Sequence, residues 1–245
     1  MNFKRIRVLL KIELLKIVRE PAFLFMMLLF PAILTIMLGF IFADPELGMS
    51  METVAPGLFG YACIFIIMIV AQSFTEMRDQ GLLKRLNTSP MTSGDFMASE
   101  IISNMIMVIL QVIIVYLLAL PFGFNPNTNV LGMFLAFLLM IVFSLSSVGL
   151  GLITATISKS SGTATGLSFI FILPQMFLGT FIPVTATTKP IALFMPSYYA
   201  TQALTAVFSG DLTNPWLIYG FTFITTVSLI IITIGVFLFK KFGNK

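Results

Sequence analysis

From residue 101 to residue 158 the chain contains no Asp, Glu, Lys, Arg or His. A bilayer core about 30 Å thick is crossed by about 20 helical residues. One uncharged run of this length holds two membrane crossings and the turn between them. The turn is marked by Pro121 and by the stretch FGFNPNTN, which concentrates breakers and carries no charge. A second uncharged run, 53–75, is of single-span length. Between the two runs lies the one internal stretch in which acids and bases cluster, 75–100, reading TEMRDQGLLKRLNTSPMTSGDFMASE.

The composition agrees. Only 10% of the 245 residues are charged and 58% are hydrophobic, whereas a soluble domain carries about 25% charged residues. The expectation is an all-α membrane protein, one transmembrane domain over 1–245. The net charge of +4 does not point to nucleic acid, because the bases gather at the termini and in the central stretch rather than on a soluble face. The single cysteine, Cys63, rules out an intramolecular disulfide. The absence of histidine excludes a His-based metal site or a His general base.

Six spans are expected, at 22–42, 54–74, 96–120, 130–157, 162–182 and 215–239, with Pro31 kinking the first. The first run exceeds the roughly 7–15 residues of a signal-peptide core and has no small-x-small cleavage site after it, so it reads as a retained span. Residues 1–20 place Phe3, Ile6, Leu10, Leu14 and Ile17 on one stripe and Lys4, Arg5, Lys11, Lys16 and Arg19 on the opposite half. That pattern predicts an amphipathic helix in the membrane interface; the simpler alternative is a basic flank that only sets topology. Residues 183–213 are too apolar for a free loop and too broken by Pro183, Pro190 and Pro196 for a span. A re-entrant hairpin or a pair of short external helices fits them.

Base counting sets the orientation. The N-terminal segment, the second loop (Arg78, Lys84, Arg85), the fourth loop (Lys159) and the tail (Lys240, Lys241, Lys245) hold 6, 3, 1 and 3 bases, and the opposite loops hold Lys189 alone. Both termini and the charged stretch are thus expected in the cytoplasm, in the cell membrane of a multi-pass protein.

Within the charged stretch, Met77, Leu82, Leu83 and Leu86 make a spaced apolar set suited to a hydrophobic groove, while Glu76, Arg78, Asp79, Lys84 and Arg85 would select register. The alternative is a solvated loop whose charges only fix topology; the spaced apolar set favours docking.

The run E-x-R-x-x-G-L-L-x-x-L-x-x-S-P, formed by Glu76, Arg78, Gly81, Leu82, Leu83, Leu86, Ser89 and Pro90, resembles the intracellular signature of type-2 ABC exporter permeases, in their drug-export branch. The likeness spans nearly the whole chain: the N-terminal helix, six spans, a cytoplasmic coupling helix between spans two and three, and a membrane-dipping external segment before span six. The P-x-x-Y region, Pro196 and Tyr199, is similar to the N-P-hydrophobic stretch of that segment, with Met195 in place of Asn. The resemblance implies two permease copies, as a homodimer or with a similar permease, and two separate ATP-binding subunits that hold ATP and Mg. It assigns coupling to the ATPase to Glu76, Arg78, Asp79, Gly81, Leu82, Leu83, Lys84, Arg85, Leu86 and Pro90. This chain has no G-x-x-x-x-G-K-[ST] loop, and SSGTATG lacks the required lysine and preceding strand, so it is not expected to be the ATPase itself.

Polar groups within the spans are candidates for a substrate path. They are Gln72, Asn104, Gln111, Tyr116 and Gln175, with Ser144, Ser146 and Ser147 as smaller contributors and Tyr198 and Tyr199 in the segment before the last span. The alternative for each is a hydrogen bond that packs the bundle. Gln175 leads, because Pro174 beside it frees a carbonyl. Glu100 is expected to be a surface or partner contact. Gly162 with Gly166, and Gly149 with Gly151, allow close helix contact, within one chain or at a dimer seam. The expected substrate is a hydrophobic or amphiphilic compound. A lipid-linked glycan exporter and an ion-coupled carrier or channel without an ATPase are the alternatives. The residue set offers an enzyme no His, no metal cluster and no close pair of intramembrane acids.

Overall fold

The computed structural model describes residues 3–42, 50–81, 92–181 and 184–242. They form nine α-helices: α1 (Phe3–Arg19), α2 (Pro21–Phe42), α3 (Met51–Asp79), α4 (Ser93–Ala119), α5 (Val130–Ile157), α6 (Ser161–Met176), α7 (Lys189–Ala192), α8 (Pro196–Phe208) and α9 (Pro215–Phe242). A 3₁₀ turn, Leu120–Phe122, extends α4, and a π-helical turn, Phe177–Phe181, extends α6. Among the described residues there is no strand, and five helices are long and apolar enough to cross a membrane. They are α3, α4, α5, α6 and α9; α2 adds a shorter apolar helix, Met27–Ile41.

The helix limits follow local chemistry. The Asn129 side chain accepts from Gly132 N at 2.8 Å and caps α5, so this helix starts and ends at the limits read from sequence. Ser160 and Thr163 form a capping box that opens α6. The end of α3 departs from expectation. The helix continues beyond 74 through Glu76, Arg78 and Asp79, which therefore belong to a long helix and not to a separate one. No breaker intervenes before Gly81, whose φ of +69° supplies the left-handed stop.

The hub of the bundle is α3. Of its most apolar stretch 89% is buried, against 17% for α9. Phe59, Ile64, Ile67 and Phe74 of α3 pack with Val112 of α4, Leu139, Phe143 and Leu152 of α5, Ile172 of α6, and Leu204 and Val207 of α8. Where α5 crosses α9 the two backbones touch: a Cβ on Gly235 would lie 2.5 Å from the Gly149 carbonyl oxygen. Gly149 and Gly151 thus serve packing within the chain.

Pro31 sits inside α2 and has no N–H, so the carbonyl four residues back loses its helical partner. Gln111 Nε2 of α4 donates to that carbonyl, Met27 O, at 3.1 Å. The bond ties a bend in one helix to its neighbour. Segment 183–213 contains the two short helices α7 and α8, and α8 is buried along one face against α3, α5 and α9.

Candidate functional site

Two ends of the bundle carry polar organisation, and they differ. At the first end the α3 terminus is tied to its neighbours. Arg78 turns inward, its side chain 15% exposed, and donates to Ala155 O at 3.1 Å and Ser158 O at 2.5 Å. These are carbonyls at the C-terminus of α5, where the helix dipole favours a cation. Asp79 lies 3.8 Å from the Arg78 guanidinium and remains more exposed, at 46%. Glu76 accepts from Ser161 Oγ at 3.0 Å, and Gln72 donates to Thr165 Oγ1 at 2.6 Å. One face of α3 is therefore latched to the α5–α6 turn and to the first turns of α6. Phe239 of α9 meets Phe74 at this same end, so Lys240 and Lys241 gather here with Arg78 and Lys159. The other coupling candidates, Leu82, Leu83, Lys84, Arg85, Leu86 and Pro90, lie outside the described residues.

Beside the latch, α1 covers the start of α4. Glu13 and Lys16 of α1, Glu20 just after it, Glu76 of α3, and Glu100 and Asn104 of α4 line a small cavity of about 30 Å³. The expectation that Glu100 is a surface contact is corrected: it is 2% exposed, because α1 lies over it, and one of its oxygens has no hydrogen-bond partner. Asn104 Nδ2 donates to the Glu100 carbonyl at 2.8 Å. Glu13 and Glu20 were missed among the bases of the N-terminal segment. A signal was there for Glu13: at 100° per residue it falls beside Ile6 and Ile17, at the edge of the apolar stripe, and not with Lys4 or Lys11.

The second end is open. A cavity of about 540 Å³ lies between α2, the start of α3, the π-helical turn and α8. Leu34, Leu38, Val54, Met176, Phe177 and Phe181 form its apolar side. Thr53, Thr180, Tyr198, Thr201, Gln202 and Thr205 line the rest. Among the described residues no acid or base lines it. Thr201 Oγ1 is buried without a partner. A smaller cavity of about 370 Å³ adjoins it, sharing Thr53 and Thr205, and is lined by Glu52, Asn125, Asn127, Phe124 and Phe208 among others.

Two close contacts shape the large cavity. Pro196 starts α8, and the next residue, Ser197, is fully buried and donates to Gln175 O at 2.9 Å. The π-helical turn approaches so closely that a Cβ on Gly179 would lie 1.9 Å from Ser197 Oγ. Of the polar path candidates, only Tyr198 lines this cavity. Gln175 lies one residue before its wall, 4% exposed, with Oε1 unpartnered. Tyr199 faces away and stacks on Phe223 with ring centroids 3.8 Å apart. Tyr116 packs edge-on against Phe124. Gln72, Asn104 and Gln111 bond within or between helices at three separate places.

A family model for the ABC-2 type transporter matches residues 4–209, most of the chain. The chain belongs to the ABC-2 type transporter family. A comparison with curated protein sequences finds no match. As a family member the chain is a multi-pass membrane protein and a permease subunit of an ABC transporter, the transmembrane part and not the ATPase. The family implies a partner ATP-binding subunit. In an ABC-2 permease the two ends have separate tasks available to them. A latched end can pass on a displacement. A roomy end, whose large cavity has no charged side chain among its described lining residues, can accept a ligand.

Proposed function

We propose that the chain is the six-span permease of an ATP-driven exporter, with both termini in the cytoplasm of a cell-membrane protein, moving a hydrophobic or amphiphilic compound outward. The observation that carries this reading is the cavity of about 540 Å³ at the end away from Arg78, apolar on one side and hydroxyl-lined on the other. Its size and lining suit a drug-sized amphiphile. ATP and Mg sit on the partner subunit, whose closure acts on the α3 end and the segment after it. Differential contact there is what shifts the permease between conformations.

The working unit is a pair of permeases. Support comes from one stripe on α6: Gly162, Gly166, Phe169, Ile170, Leu173 and Phe177 are spaced to share a face and are all exposed. A Cβ at Gly162 or Gly166 would meet nothing within 4 Å, so these glycines serve no packing among the described residues. Small residues over such a face suit close contact with a second helix, and a second copy supplies the same stripe. Phe177 belongs both to the stripe and to the cavity wall.

The test is co-reconstitution of the permease with its ATP-binding subunit in lipid vesicles. Compound-stimulated ATP hydrolysis and ATP-dependent efflux are expected. Movement driven by an ion gradient with no need for ATP would overturn the reading in favour of a secondary carrier. Gly166→Trp is expected to leave the monomer folded and to abolish the dimer on cross-linking.

A further inference from the structure

The large cavity and its neighbour differ in a way that selects a ligand. Among the described residues no acid or base lines the larger one, and their one ionisable side chain there is the Tyr198 phenol. A bare charge held there would lose its water without gaining a partner. The smaller cavity borders it at Thr53 and Thr205 and brings together a carboxylate, two aromatic rings and two amides: Glu52, Phe124, Phe208, Asn125 and Asn127. Phe124 and Phe208 meet edge to face with centroids 5.2 Å apart, fixing both rings. Among the described residues no Lys or Arg lines either cavity. A carboxylate with two amides beside it, and no lysine or arginine among the described lining residues, is the chemistry that holds an organic ammonium, and the largely buried rings of Phe124 and Phe208 form the apolar part of its surroundings.

We propose that the two cavities form one site for a lipophilic cation, its apolar body in the large cavity and its positive end against Glu52. Thr201 Oγ1, buried without a partner at the edge of the larger space, is available to a hydroxyl or carbonyl on the body of the ligand. The same lining disfavours an anion, which would meet Glu52 at one end and no cation among the described lining residues. This assignment names the ligand class of the proposed exporter and rests on that reading only for where the ligand goes.

The test uses the purified permease in nanodiscs of zwitterionic lipid with three environment-sensitive dyes of similar bulk. Ethidium is cationic, N-phenyl-1-naphthylamine is neutral and 8-anilinonaphthalene-1-sulfonate is anionic. Saturable ethidium binding is expected, displaced by the neutral dye but not by the sulfonate. Glu52→Gln should weaken ethidium about tenfold, the equivalent of roughly 1.4 kcal/mol, and leave the affinity of the neutral dye unchanged. Equal affinity of ethidium for the wild type and E52Q, or displacement of ethidium by the sulfonate, would overturn the proposal. ATP-driven efflux in vesicles separates it from the exporter reading. Selective binding without ATP-driven movement sinks the exporter and leaves the site. Equal efflux of ethidium and the sulfonate sinks the site and leaves the exporter.

Discussion

The two ends of this bundle are made of similar residue types put to opposite use. At the Arg78 end, polar side chains find partners across helices: Arg78 on α5, Glu76 on Ser161, Gln72 on Thr165. The cavity beside them is about 30 Å³. At the Tyr198 end, threonines mostly turn back on their own helix, as Thr205 does to Thr201 O, and a space of about 540 Å³ remains. Cross-helix bonds tie α3, α5 and α6 together at the first end. At the second end Ser197 bonds across to Gln175 O, but hydroxyls such as Thr205 that turn back on their own helix hold no neighbour in place and leave that part of the wall free to meet a ligand. The difference is one of bond direction more than of composition.

That contrast can be broken from either side. The largest effect is expected for Arg78→Glu, which loses two bonds from a cation and sets a carboxylate against the α5 carbonyls, at a cost of about 3 kcal/mol. A thermal melt should fall sharply, and transport should be lost. Gly81→Pro comes next, because proline cannot adopt a φ of +69°. ATP hydrolysis by the complex should continue without transport; equal loss of both would show that the α3 end is structural and not coupling. Gly179→Ala tests the other end, where the added Cβ collides with Ser197 and costs about 1–3 kcal/mol. Binding of the neutral dye should fall, while co-purification of the ATP-binding subunit is unchanged. The smallest effect is expected for Gln111→Leu, which leaves the Met27 carbonyl unpaired at about 1–2 kcal/mol. A modest drop in melting temperature with normal coupling would place Gln111 outside both ends.

Much of the architecture was legible because lipid removes options. Uncharged runs of span length have to be helices, and α5 matches its expected limits because Asn129 is an unambiguous cap. The end of α3 was misread because charge was taken as a boundary. Helix continuity depends on backbone propensity, and nothing before Gly81 opposes it. The polar path was only partly legible. A glutamine in a span announces that it needs a partner, but not whether that partner is a ligand, a hydroxyl as for Gln72, or a carbonyl freed by a distant proline as for Gln111. The four glycines show the same limit. Gly149 and Gly151 are spent on internal crossings, Gly162 and Gly166 face outward, and their spacing alone does not separate them.

The bond from Gln111 to Met27 spans 84 residues of sequence. During synthesis α2 leaves the ribosome well before α4. Until α4 arrives, the Met27 carbonyl lacks the Gln111 donor, and leaving it unpaired costs about 1–2 kcal/mol. The first hydrophobic helix is therefore unfinished when it is made. Its settled place in the bilayer waits for α4, which makes the order of insertion a condition of the fold and leaves truncated chains that stop before Gln111 as natural targets for membrane quality control.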